Sequence, residues 1–166
     1  EVQVQVDPIG HEMYKRSSVP GRTRAASASK RSALRAPDLS TRMIEIGHQH
    51  IRVALRSGSS PPLLLCNGIG ANLELLVPLM RALDGIQTIA FDVPGTGGSS
   101  PSPEPMRLIG LAHVVALMVA RLGYREIDVL GVSWGGLLAQ QLAGQYPEQI
   151  RRLVLVSTGP GANIVP

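Results

Sequence analysis

Ser133 stands in the run Gly131-Val132-Ser133-Trp134-Gly135-Gly136, the one place in the chain where residue types and spacing together suggest covalent chemistry. The β-branched run Ile127-Asp128-Val129-Leu130 precedes it, and the helical pattern Leu137-Leu138-Ala139-Gln140-Gln141-Leu142-Ala143 follows. A serine caught in a sharp strand-to-helix turn is held in a strained backbone conformation, with its hydroxyl projecting above the sheet at a helix N-terminus. Free N–H groups and the helix dipole favour developing negative charge there. Gly131 and Gly135, two residues either side, let neighbouring backbone approach without a clash. With 18 glycines in the chain, Gly-x-Ser-x-Gly can arise by chance in a loop; the strand–turn–helix context argues against that origin.

If Ser133 attacks an acyl carbon, the tetrahedral oxyanion needs two aimed donors, each typically contributing about 3 kcal/mol of transition-state stabilisation. The backbone N–H of Trp134 is one candidate. The second lies in Asn67-Gly68-Ile69-Gly70, where a strand is expected to end and a turn to begin; the Ile69 N–H is the expected donor, with Gly68 and Gly70 shaping the turn. The same glycines could make a plain tight turn. A phosphate loop is disfavoured because neither a third glycine nor Lys-Ser/Thr follows. Asp92, opening Asp92-Val93-Pro94-Gly95-Thr96-Gly97-Gly98-Ser99-Ser100, is expected to accept backbone N–H bonds within its turn.

A general base for Ser133 is harder to find. His11, His48, His50 and His113 all precede it. His113 sits among Val, Leu and Ala in a helical pattern and reads as a packing residue, while His48 and His50 fall in an early hairpin. Glu148, the one acid after Ser133, is expected before a strand, away from the carboxyl edge where open α/β sheets bind ligands. Cys66 reads as a small hydrophobe ending a buried strand. It also rules out an internal disulfide, and no cluster has the spacing of a metal site. No metal or cofactor is expected.

The elements that would position these residues alternate between β-like and helical runs, the βαβ pattern. Strands are expected at 43–48 and 51–56 as a hairpin, at 63–67 as a fully buried run, and at 86–91, 126–132 and 152–157. Helices are expected at 73–83, 106–122 and 134–146, with a Pro/Gly/Ser loop over 92–105. The fold class is therefore α/β, a mostly parallel sheet with flanking helices. Five aromatic residues in 166 leave Leu, Val, Ile and Ala to fill the core.

Net charge is +4, but residues 1–42 hold eight basic and four acidic residues, whereas 43–166 hold eight of each. The excess is confined to the leading segment, so the folded part carries no electrostatic footprint for nucleic acid. Residues 1–42 are expected to form a disordered basic extension and 43–166 the folded domain. Arg/Ser richness over 15–35 also resembles a transit peptide, though amphipathic spacing is weak and the stretch is not terminal. The apolar run from Leu108 to Ala120, broken by His113, falls short of the roughly 20 residues needed to span a bilayer. The start Glu1-Val2-Gln3 has neither initiator Met nor signal peptide, as a cut end would.

Taken together, Leu63-Leu64-Leu65-Cys66-Asn67-Gly68-Ile69-Gly70-Ala71-Asn72-Leu73-Glu74-Leu75-Leu76, Phe91-Asp92-Val93-Pro94-Gly95 and the Ser133 elbow resemble the intracellular medium-chain poly(3-hydroxyalkanoate) depolymerases, serine enzymes of the α/β-hydrolase superfamily. The elbow is generic to the superfamily; the Asn67–Leu75 run with Ser-Trp-Gly-Gly is much narrower. The resemblance covers about residues 43–166 and implies an α/β-hydrolase fold in its N-terminal part, truncated before the lid. It implies Ser133 as nucleophile, Ile69 and Trp134 as oxyanion donors, a polyester or small-ester substrate, a cytoplasmic setting and a polymer granule surface as partner. In that family the triad acid and histidine follow the lid, so this chain alone is expected to be inactive. Alternatives are a small-ester esterase, an acyltransferase, a cofactor-free haloperoxidase, or a non-catalytic module that keeps the half-sheet; the last would leave an apolar edge around Leu153-Val154-Leu155-Val156.

Overall fold

The run Leu63-Leu64-Leu65-Cys66 lacks a polar face because both sides of its strand are covered. Leu64, Leu65 and Cys66 are all 0% exposed, with successive side chains going to opposite faces. A computed structural model describes residues 38–103 and 105–160. Along the chain come β1 (Leu39–Ile46), β2 (Gln49–Arg56), β3 (Ser59–Cys66), a 3-10 turn at Leu73–Leu76, α1 (Val77–Ala82), β4 (Ile86–Phe91), α2 (Leu108–Arg121), β5 (Ile127–Val132), α3 (Trp134–Gln145) and β6 (Ile150–Val156). One six-stranded sheet forms in the order β1-β2-β4-β3-β5-β6. The β1/β2 and β2/β4 pairs are antiparallel, and β4/β3, β3/β5 and β5/β6 are parallel.

Each face of the sheet has its own core. Leu64 and Cys66 join Ile51, Val53, Ile89, Ile127 and Val129 under α2 and α3, which contribute Leu111, Val115, Met118, Leu138 and Leu142. Leu65 points the other way, joining Ala54, Ala90, Leu73, Leu76 and Met80 from the side of the 3-10 turn and α1. Burying one such Leu or Ile side chain stabilises the fold by roughly 1.5–3 kcal/mol. Three layers result, and the carboxyl ends of β3, β4 and β5 emerge on one edge. Asn67, Asp92 and Ser133 follow these three strands directly; pairing of Cys66 with Gly131 holds the ends of β3 and β5 level.

Several element boundaries differ from the sequence expectation. β1 starts at Leu39, four residues before the expected Met43, because Leu39 to Arg42 pair with Arg56 to Val53 while Ser40, Thr41, Arg42 and Met43 stay exposed. Backbone pairing, to which apolar periodicity is blind, sets that end. The expected disordered extension otherwise falls on residues 1–37, outside those described. β3 starts at Ser59, four residues before the expected Leu63, and includes Pro61 and Pro62. Its register with β4 shifts between Ser59 and Leu63, so this stretch does not require every ladder donor. The helix expected over 73–83 divides at Val77 into a 3-10 turn and a six-residue α-helix with proline at its first turn. Pro78 lacks the N–H that would continue an earlier α-helix and suits a helix start instead.

β6 pairs with β5 alone among the described residues, and Val154 and Val156 are 46% and 40% exposed. The apolar edge expected around Leu153–Val156 is present. Leu64→Ala should lower unfolding stability by about 2–5 kcal/mol, whereas Leu75→Ala, at a side chain 68% exposed, should stay within about 0.5 kcal/mol. Urea titration followed by circular dichroism measures both.

Candidate active site

Ser133 closes β5 and caps α3 with φ 53° and ψ −120°, a left-handed conformation that costs a non-glycine residue about 1–3 kcal/mol. Its backbone is fixed from both sides: the N–H donates to Val156 O at 2.9 Å, and the carbonyl accepts from Gly136 N at 2.9 Å. The Ser133 side chain does not cap α3. It is exposed, and no described residue hydrogen-bonds its hydroxyl.

Three glycines make the turn sterically feasible. A Cβ on Gly131 would meet Gly135 O at 2.5 Å and Gly136 Cα at 2.6 Å; one on Gly135 would meet Cys66 O at 2.1 Å and Asn67 O at 2.4 Å. One on Gly136 would strike the Thr158 side chain at 2.5 Å. The first turn of α3 therefore lies directly on the end of β3, with β6 and Thr158 closing the other side.

That packing brings the 68–70 loop beside the serine. A Cβ on Gly68 would lie 3.9 Å from Ser133 Cβ, and Gly70 has φ +71° with open space around it, so its backbone conformation is what favours glycine. Ile69 between them is 77% exposed. The N–H groups of Ile69 and Trp134 donate to no described residue; for Trp134 this is the expected state of a helix's first N–H. Asn67 shapes the loop by accepting from Gly68 N at 2.9 Å and donating through Nδ2 to Asn72 O at 2.8 Å. Asn67 had been read only as a strand end, and its role depends on Asn72 returning to it, which spacing alone does not reveal.

Asp92 holds the same loop from behind. The carboxylate is fully buried; Oδ1 accepts from Leu73 N at 2.7 Å and Oδ2 from Gly98 N at 2.8 Å and Arg52 Nη1 at 3.2 Å. The backbone-accepting role expected for Asp92 is present, and it reaches a second loop as well. Gly97, at φ +51°, passes so close that a Cβ would lie 2.2 Å from Asp92 Oδ2. Arg52 also donates to Glu74, which holds the Glu74 carboxyl below its usual range. The Arg52 N–H donates to Ser99 Oγ at 2.9 Å, and that hydroxyl donates to Asp92 O at 2.7 Å.

His113 corrects its sequence reading. It is exposed on α2, with Nδ1 2.6 Å from the Tyr146 hydroxyl and its ring stacked on that residue; Leu111, Ala112 and Val115 form the buried face, while Ile109 and Leu117, one turn either side of His113, are exposed with it. His48 and His50 are exposed in the β1–β2 hairpin region. None of the three hydrogen-bonds Ser133. Among the described residues no cluster of three or more His, Cys, Asp or Glu could hold a metal, and no helix is long and apolar enough to cross a membrane.

Burial pushes the Cys66 thiol up to about 12, leaving it protonated and inert at neutral pH. In the native protein it should resist an aromatic disulfide reagent at pH 7–8 and react only on unfolding; rapid native labelling would contradict that burial. Gly135→Ala should cost at least the upper end of the about 1–3 kcal/mol typical of overpacking, read as a lower thermal midpoint, because backbone atoms of β3 would have to move.

The α/β-hydrolase fold family model matches residues 61–165. Over 128 residues the chain is 52% identical to a poly(3-hydroxyalkanoate) depolymerase from Ectopseudomonas oleovorans, spanning 75% of this chain and 45% of that protein. It is 34% identical over 106 residues to a pimeloyl-[acyl-carrier protein] methyl ester esterase from Pseudoalteromonas atlantica, covering 62% of this chain and 39% of the other. Among solved structures, a bacterial membrane phospholipase A described as a virulence factor superposes with TM-score 0.68 at 31% identity, over 74% of this chain and 40% of that one. The chain thus spans less than half the length of these relatives. With the family match covering most of a sheet whose order and elbow are already described, the chain belongs to the α/β-hydrolase fold family.

Proposed function

We propose that this chain carries the nucleophile and oxyanion site of a serine ester hydrolase acting on a poly(3-hydroxyalkanoate) polyester. The observation that carries the proposal is the exposed Ser133 hydroxyl at φ 53° beside the Gly68-Ile69-Gly70 loop, with two N–H groups free to receive an oxyanion. Ser133 Oγ attacks the ester carbonyl as its proton passes to a base. The Ile69 and Trp134 N–H groups hold the oxyanion, the alcohol leaves protonated, and water then releases the acyl group from Ser133. No hydrogen bond joins Ser133 to His48, His50 or His113, so in this reading the base is supplied from beyond the described residues. The polyester is favoured by the 52% identity to the depolymerase and by the narrow Asn67–Leu75 motif; a cytoplasmic setting at a polymer granule follows from the same reading.

A small-ester esterase is the second reading, favoured by the 34% identity to the methyl ester esterase. Hydrolysis by the protein purified at its native length from its source should separate the two. Ser133→Ala should lower the rate on a poly(3-hydroxyoctanoate) suspension by about 10³-fold or more, and activity confined to soluble methyl esters would favour the esterase. The 166-residue chain by itself should hydrolyse an activated nitrophenyl ester no faster than its Ser133→Ala variant. A large Ser133-dependent rate there would place the base within these residues and overturn that part of the proposal.

A further inference from the structure

Ser133 is not alone in its backbone conformation. Eight described residues have a left-handed φ; six are glycine, and the other two are Ser133 at 53° and Ser157 at 49°. A Cβ makes that conformation costly, whereas glycine takes it freely. A serine held there points to a use for its side chain.

The two serines are neighbours in the sheet. β5 and β6 run parallel with Val132 opposite Val156, and the Ser133 N–H donates to Val156 O at 2.9 Å. Ser157 therefore stands beside Ser133, at about the 4.8 Å spacing of adjacent strands. The 68–70 loop follows β3, on the other side of β5, so the elbow has the oxyanion loop on one flank and Ser157 on the other. Ser157 is also fixed from its far side, where Gly159 O accepts from Gln140 Nε2 at 3.1 Å. Thr158 between them lies against Gly136, with its hydroxyl shut off from solvent. Ser157 is exposed, and its hydroxyl, like that of Ser133, hydrogen-bonds no described residue.

We propose that Ser157 is a second catalytic residue, its hydroxyl donating a hydrogen bond to the alcohol oxygen of the ester as that oxygen leaves. The inference rests on the ester-hydrolase reading. In that reading the Ile69 and Trp134 N–H groups hold the carbonyl oxygen, and Ser157 serves the other oxygen from the opposite flank. When the tetrahedral adduct collapses, the bond between carbon and the alcohol oxygen breaks and its electron pair goes to that oxygen. The carbonyl reforms on Ser133, and the base passes the proton it took from Ser133 to the alcohol. Ser157 keeps its own proton throughout and shares it while charge builds on the leaving oxygen. A hydrogen bond to a charged oxygen is stronger than one to a neutral oxygen, so the contact favours the transition state over the bound ester.

Alkyl and aryl esters of one acid separate this role from a structural one, because an alkoxide needs a donor in order to leave and a nitrophenolate, which spreads its charge into the ring, does not. In the protein at its native length, Ser157→Ala keeps the Cβ and removes only the hydroxyl. kcat/KM for methyl octanoate should fall about 10- to 100-fold, and that for nitrophenyl octanoate by no more than about threefold. Ser157→Gly, a residue suited to φ 49°, should show the same contrast with native circular dichroism, and it replaces the alanine variant should that one fail to fold. An equal loss on both esters, or no loss on either, overturns the assignment and leaves the ester chemistry in place. Absence of Ser133-dependent hydrolysis in the unmutated protein removes the ester chemistry, and this role with it.

Discussion

A carboxylate with no exposure to water is costly unless its charge and lone pairs are answered, and Asp92 has that position at the end of β4. Its two oxygens accept from Leu73, Gly98 and Arg52, three groups brought from separate parts of the chain. Through Leu73 it fixes where the loop after β3 turns into its 3-10 segment, and through Gly98 it fixes the loop that follows β4. Arg52, from the antiparallel strand β2, supplies the compensating charge. The two loops beside Ser133 therefore share one electrostatic anchor. Removing the carboxylate would leave the Arg52 and Leu73 donors short of a partner and loosen both sides of the site together.

Steric exclusion complements that anchor. The sheet brings β3 and β5 side by side, and the first turn of α3 then lies on the backbone of Cys66 and Asn67 with no room for a side chain at Gly135. The left-handed φ of Ser133 sits in a turn where Gly131 lies against the first turn of α3 and Gly136 against Thr158, with no room for a side chain at either glycine. Cys66 underneath is sealed from solvent and serves as packing.

Much of this was legible in the sequence because the signals were local. Strand-turn-helix punctuation around Ser133 and the uninterrupted apolar run ending at Cys66 each reflect a physical requirement contained within a few residues. β1 was shortened in the reading because Ser40, Thr41 and Arg42 owe their strand to pairing with β2, a contact without any apolar signature. His113 was misplaced because composition records neighbours in sequence, while a helix sends neighbours to different faces. The positioning roles of Arg52 and Thr158 are not legible for a related reason: each acts on a partner that only the folded sheet brings near, and for Arg52 the partner lies forty residues away; that of Asn67 depends on the loop folding back to bring the Asn72 carbonyl to it.

The hydrogen bond from Ser133 N to Val156 O ties the elbow to the strand that follows its own helix. A short peptide containing Gly131 to Gly136 would carry the whole motif and relax to an ordinary turn. The tension at Ser133 belongs to the assembled β3-β5-β6 ribbon, much as the tension in a bowstring belongs to the bow.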